Sequence, residues 1–204
     1  MAVKLTKNEL KTQKDQLKQF QRYLPTLQLK KQQLQIVIRD INLELESKNS
    51  ELLKMQNGLD DWIAVFAENQ LFKTDLRLEN LVRPESVVTG TDNIAGVKIP
   101  VFRDLAFKDV EFNVEDYPLW VDTAVFKLKD IARLRALVKT LQIQVELLEK
   151  ELRTTSQRVN LFEKVKIPEA KENIRVIGIY LGDQQTSAVV RGKIAKKKLQ
   201  GAAS

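Results

Sequence analysis

Apolar residues recur every seventh position through the first third of the chain. From Leu10 the series runs Leu17, Leu24, Lys31, Ile38, Leu45, Leu52, Leu59 and Phe66. A companion series from Gln13 runs Phe20, Leu27, Leu34, Ile41, Lys48, Met55 and Trp62. These are the a and d positions of a heptad, which predicts one long helix over residues 6–69 with a narrow apolar seam. Thr6 followed by Glu9 is a capping-box pair and marks its start. The pattern returns near the C-terminus. One series is Ala124, Ile131, Val138, Val145, Leu152, Val159 and Lys166; the other is Lys127, Leu134, Leu141, Leu148, Thr155 and Phe162. They predict a second long helix over residues 118–200, opened by Pro118. Its signal weakens past Leu181, where Gly182 and Gly192 follow Gly178.

The middle of the chain, residues 70–117, has a different texture. The run from Glu85 to Thr89 is β-prone, Gly90-Thr-Asp-Asn93 is turn-prone, and the run from Val97 to Phe102 alternates. That predicts a β-hairpin turning at 90–93, with Pro100 confining its strand to an edge. The expected fold is mainly α: a long antiparallel two-helix coiled coil with a small central β-hairpin head. Its seam is Leu17, Leu24, Leu34, Ile38, Ile41, Leu45 and Leu52 against Ile131, Val138, Leu141, Val145, Leu148, Leu152, Val159 and Phe162. Lys31, Lys48, Lys127 and Lys166 interrupt it, as polar residues that fix register do. Trp62 and Trp120 fall at the head ends of the two helices and are expected to close the coil there. Pro25 and Pro168 should kink the helices. The expected pairing sets them nearly opposite, as a shared bend.

Composition narrows the chemistry. Among 204 residues there is no His and no Cys. This removes imidazole general bases, thiolate nucleophiles, disulfides and the usual zinc sites. Only seven Gly are present, and none lies between Val97 and Ile177. No phosphate-binding Gly loop can be drawn. Asp60-Asp61 and Glu111, Glu115 and Asp116 lack the ligand spacing of a cation site and read as solvated carboxylates. No catalytic, cofactor or metal residues are therefore expected. No apolar run is long enough to span a membrane. The N-terminus lacks an apolar signal core, and the absence of Cys suits a cytosolic setting.

Charge is uneven. The formal net charge is +7. Residues 4–31 carry eight basic and two acidic side chains, among them Lys4, Lys7, Lys11 and Lys14. Residues 191–204 carry five basic and no acidic ones, among them Lys193, Lys196, Lys197 and Lys198. In an antiparallel hairpin both segments meet at one tip. Such a tip suits an acidic protein collar. It would also suit nucleic acid, but no aromatic residues interleave the C-terminal run for stacking. A free-standing coiled-coil scaffold is the other reading.

Three stretches carry a family resemblance. Arg158-Val-Asn-Leu-Phe-Glu163, then Ile167-Pro168, then the apolar series from Ile174 to Leu181, resembles the C-terminal signature of the D subunit of the V-type (vacuolar/archaeal-type) rotary ATPases. Asn93-Ile-Ala-Gly-Val97 with Ile99-Pro100 resembles that family's central segment. Leu27-Gln-Leu-Lys-Lys31 with Leu34 is similar to its N-terminal one. The resemblance implies a non-catalytic central-stalk subunit that carries torque between a membrane ion-translocating ring and a catalytic hexamer. The implied partners are the catalytic A and regulatory B subunits, the small stalk component F and the membrane-side rotor connector, named C or d. No nucleotide or nucleic acid would bind it directly. It would sit on the cytoplasmic face of the membrane through the complex, with the tip lysines in the hexamer cavity.

Overall fold

The computed structural model describes residues 3–60, 81–108, 117 and 120–202. Three α-helices, a π-turn and one hairpin make up most of these residues. Helix α1 spans Lys7–Asp60. Strands β1 (Pro84–Ile94) and β2 (Val97–Phe107) pair antiparallel. Helix α2 spans Val121–Leu161, a π-turn covers Phe162–Lys166, and helix α3 spans Ile167–Ala202. None of these helices is long and apolar enough to cross a membrane. The chain divides into two compact units. One holds Met1–Lys31 with Thr154–Ser204, the other Gln32–Arg153.

Helix α1 begins where its cap is. The Glu9 backbone N–H donates to Thr6 Oγ1 at 3.2 Å, and the Leu10 N–H to the Thr6 carbonyl. The first of these satisfies an amide that has no partner inside the helix, and the second is the helix's own first bond. Leu, Lys, Gln and Glu dominate the rest of α1, all good helix formers. The helix is uninterrupted through Pro25, whose ring lies on the exposed face between half-buried Leu24 and Leu27. Helix α3 runs to Ala202, so the Gly residues that weakened the signal beyond Leu181 do not end it. Among the described residues, nothing packs close enough to Gly178, Gly182 or Gly192 to require glycine there.

In the unit of Gln32–Arg153 the core joins three elements. Leu34, Ile38 and Ile41 of α1, Leu141 and Leu148 of α2, and Ile99 of β2 form one buried cluster. Half-buried Val37 and Leu45, Leu137, Val145 and Leu152, and Ile94, Ala95 and Val97 pack against it. The hairpin therefore lies alongside the helices, with its turn on their seam. A second buried cluster of Leu81, Val121 and Val125 gathers half-buried Tyr117 and Trp120 around it. Trp62 and residues 61–69 lie outside the described residues, as do Pro118 and the acidic residues Asp61, Glu111, Glu115 and Asp116.

The hairpin turns at Ala95-Gly96, between the paired Ile94 and Val97, and not at 90–93. Both turn residues have positive φ, 50° and 83°, the signature of a two-residue type I′ connection. Gly90 instead pairs with Val101 within the ladder, near an irregularity between Val88 and Thr89. Local turn propensity at 90–93 gives way because turning later brings apolar Ile94 and Val97 onto the helix seam.

In the other unit, α1 runs antiparallel to the C-terminal segments. The Phe20 and Phe162 rings lie 5.3 Å apart, centroid to centroid. Seven positions earlier on α1, Gln13 accepts a hydrogen bond from Asn173 at 3.4 Å. This register sets Pro25 across from about residue 158. Pro168 lies about ten residues away from that level, close to three turns at 3.6 residues each. The two prolines are not opposite, and the shared bend does not form.

Candidate partner-binding surfaces

The seam residues group by unit. Leu17 and Leu24 are half-buried, as is Phe162, and Val159 is buried at 4% exposure. Leu34, Ile38, Ile41, Val138, Leu141 and Leu148 are buried; Leu45, Leu52, Ile131, Val145 and Leu152 are half-buried. Lys31, Lys48 and Lys166 stand half-buried on the same face, whereas Lys127 is exposed. Two of these lysines resolve their position by reaching a carboxylate one turn on. Lys48 Nζ meets Glu51 at 2.8 Å and Lys166 Nζ meets Glu169 at 3.1 Å. Their stems cover apolar surface while the charge stays in water. The hydrogen bond to Glu51 raises the Lys48 ammonium above its ordinary value.

The outward surface of this second unit is also apolar in places. Ile36, Leu43 and Leu53 of α1 are each more than half exposed, on a face the seam leaves free. A separate groove of about 690 Å³ runs between the hairpin, α2 and the end of α1. Leu59, Leu105, Leu128, Ile131, Ala132 and Ile143 line it, and Arg135 and Lys139 also border it. Among the described residues, none of those lining it is a carboxylate of the kind that could serve hydrolysis as a base. Its walls are mostly hydrophobic side chains, suited to another protein surface.

The hairpin is held in place by polar ties as well as by Ile99. Gln144 Nε2 donates to the Pro100 carbonyl at 2.5 Å. Arg133 Nε meets Asp104 at 3.3 Å. The Arg133 guanidinium and the Lys129 ammonium both stand over the Phe107 ring, at 5.4 and 5.6 Å from its centroid. None of these groups was singled out by heptad reasoning, which speaks only to the seam. The alternation of β2 signals a strand but not which helix side chains will hold it.

The lysines of the two basic segments occupy different levels. Lys4, Lys7, Lys11 and Lys14 are exposed, as are Lys193, Lys196, Lys197 and Lys198. The Gln13–Asn173 register puts Lys7, where α1 begins, level with about residue 179 of α3. Helix α3 continues some twenty residues beyond that level, and every position from 182 to 200 is exposed. The C-terminal lysines therefore sit about 20–30 Å beyond the level of Lys7, at 1.5 Å per residue. They lie on a single helix that has outrun α1. Exposed Val189, Val190 and Ile194 share it with Arg191 and Lys193. In proteins most helical stability comes from packing of an apolar face, which this stretch does not obtain from α1.

Comparison with known proteins is consistent over nearly the full length. The family model for the D subunit of ATP synthase matches residues 9–197. The D subunit of the V-type ATP synthase of Borreliella burgdorferi is 50% identical over 197 residues, covering 97% of this chain and 95% of the relative. The subunits of the same name in Chlamydia caviae and Chlamydia trachomatis are 35% and 34% identical. Each covers 97% of this chain, and the alignments span 94% and 96% of the respective relatives.

Proposed function

The chain belongs to the ATP synthase D-subunit family, and from that premise we propose how its surfaces serve a rotor. It is a central-stalk subunit of a V-type rotary ATPase and is not itself catalytic. In our reading it transmits torque between the ion-translocating ring and the catalytic hexamer, coupling ATP synthesis or hydrolysis to proton or sodium movement. The lone end of α3, with Arg191, Lys193, Lys196, Lys197 and Lys198, enters the cavity formed by the A and B subunits, together with the lysines that begin α1. The exposed apolar face of Ile36, Leu43 and Leu53 and the groove beside the hairpin receive the small stalk component F and the membrane-side connector. The whole sits on the cytoplasmic face of the membrane through these partners.

The observation that carries this reading is the bare, basic end of α3, fully exposed from 182 to 200. Basic contacts suit a shaft that must slip past successive positions, because exposed ion pairs are individually weak and re-form readily. The mechanism is asymmetry. An eccentric shaft biases three equivalent interfaces differently, and rotation permutes the bias. By linkage, nucleotide binding at those interfaces pushes back on the shaft.

The test is reconstitution with the A/B hexamer and the small F component after changing Lys193, Lys196, Lys197 and Lys198 to Gln. We expect weaker assembly, steeper loss with salt, and reduced coupled ATPase. Unchanged assembly and coupling would remove the electrostatic part of the reading.

A further inference from the structure

The turn at Phe162–Lys166 is wider than the helices it joins. The Ile167 N–H reaches back to the Phe162 carbonyl, five residues away, where an α-helix reaches four. One surplus residue is stored there, and the burial pattern records it. Up to the turn, covered positions follow the heptad through Thr155, Val159 and Phe162. Continued without interruption, the heptad would place Glu169, Val176 and Tyr180 against α1. The covered positions are instead Ala170, Ile177 and Leu181, one residue later. Ile177 is fully buried, while Val176 and Tyr180 are 37% and 39% exposed.

Helix α3 thus carries an inward apolar stripe and, one residue behind it, a mixed stripe in which Val176 and Tyr180 stand with Glu169 and Asn173. Closing the π-turn into α geometry would rotate α3 by about 100° and exchange them. Asn173, bonded to Gln13, is half-buried and belongs to the uninterrupted heptad, so it would serve in either phase. Pro168 opposes the exchange. It has no N–H to add to the ladder in either setting, but in a continuous α-helix its ring would also strike the Lys164 carbonyl.

We propose that the π-turn is a phase switch in the C-terminal helix, held in its present setting by Pro168. Its setting decides which face of residues 182–202 presents Arg191 and Lys193. This concerns the internal mechanics of the helix pair and holds whether or not the chain turns in a collar.

The absence of native Cys makes disulfide trapping clean, since a disulfide forms only when Cβ atoms come within about 4.5 Å. Leu10 lies one turn before Gln13 on the α1 seam, and Ile177 one turn beyond Asn173. Two full-length double variants, Leu10→Cys with Ile177→Cys and Leu10→Cys with Val176→Cys, report the two phases under mild oxidation. Leu24→Cys with Val159→Cys, upstream of the turn, reports that the helices remain paired. In the parent, the Ile177 pair should cross-link and the Val176 pair should not. Pro168→Ala should raise the yield of the Val176 pair relative to the Ile177 pair by at least about tenfold, because the steric block on α geometry is gone. Deleting Val165, which removes the surplus residue, should keep the Ile177 pair and abolish the Val176 pair. A smaller rise in Pro168→Ala, a shift of yield to Val176 in the deletion, or loss of the Leu24–Val159 cross-link in either would overturn the proposal.

Discussion

Gln144 on α2 donates its side-chain N–H to the carbonyl of Pro100 on β2, across 44 positions of sequence. The residue is 7% exposed, so its amide is withdrawn from water and depends on this bond. Pro100 has no N–H to offer the ladder, and its carbonyl is what ties the strand to the helix. Replacing Gln144 with Leu removes the donor and leaves the carbonyl partly buried without a partner. We expect a loss of about 1–3 kcal/mol in urea unfolding. Faster amide exchange in β2, with little change in the C-terminal part of α3, would place the loss at the hairpin. Uniform acceleration throughout the chain would contradict a local tie.

Much of the helical architecture was legible because two-in-seven patterning has one simple physical solution. Leu34, Ile38, Ile41, Leu141 and Leu148 are apolar at seam spacing, and all five are buried. The alternating run from Val97 is likewise a strand. The place of the turn was not legible. Gly90 and Asn93 have strong local turn preferences, but docking Ile94 and Val97 outweighed them. The π-turn left no periodic signal either, since one surplus residue changes a phase without removing apolar positions. Pro168 marked the spot, yet proline alone does not separate a kink from a stored residue. The outward face of Ile36 and Leu43 was hidden for a different reason: seam arithmetic counts only the inward stripe.

That outward face separates stability from binding. Leu148 is 0% exposed and Ile36 is 61% exposed. Leu148→Ala should cost about 2–5 kcal/mol in urea unfolding, by lost burial and a residual cavity. Ile36→Ala with Leu43→Ala should cost no more than about 1 kcal/mol for the pair, each lying within the ordinary surface range. The same pair should weaken capture of the small F component or the membrane-side connector, measured with the purified partner. Equal unfolding costs for the two variants would show that the inward seam and the outward face are not distinguished in this way.

Stability should be insensitive to pH near neutrality. With no His in the chain, no side chain of ordinary affinity titrates there. Glu172 is held below its ordinary value by the hydrogen bonds from Arg175. A depressed carboxylate contributes stability that is present above its unfolded value and is lost as pH falls through the folded one. Lys48 is raised by Glu51, so its contribution is present below the unfolded lysine value and is lost as pH rises through the folded one. Glu172 is exposed and the Lys48 ammonium stays in water, so both effects are small. Thermal unfolding followed by circular dichroism should give Tm values constant to about 2 °C between pH 6 and 9, declining in acid. A step centred between pH 6 and 7 would contradict this.

The hairpin turn offers the reverse test, a change that should improve the protein. Ala95 sits at φ 50°, in a region that costs an L-residue with a Cβ about 1–2 kcal/mol. Asn tolerates that conformation better and makes the Asn-Gly pair that type I′ turns favour. Ala95 also packs, half-buried, against the main core cluster, so the gain is partly offset by placing an amide there. Ala95→Asn should therefore raise stability by about 0.5 kcal/mol, a Tm increase of about 1–2 °C. Gly96→Ala should lower it by about 1 kcal/mol, because φ is 83° there. Open space surrounds the Gly96 position, with no atom within 4 Å of an added Cβ, so that loss would report backbone strain alone. Gly90→Ala supplies the contrast. Its φ is not in the left-handed region, and the added Cβ would meet Arg103 Nε at 2.9 Å, the movable part of a long side chain. It should cost less than Gly96→Ala in the same melts. If Gly90→Ala were the more damaging change, the two-residue turn at Ala95-Gly96 would not be where the hairpin bends.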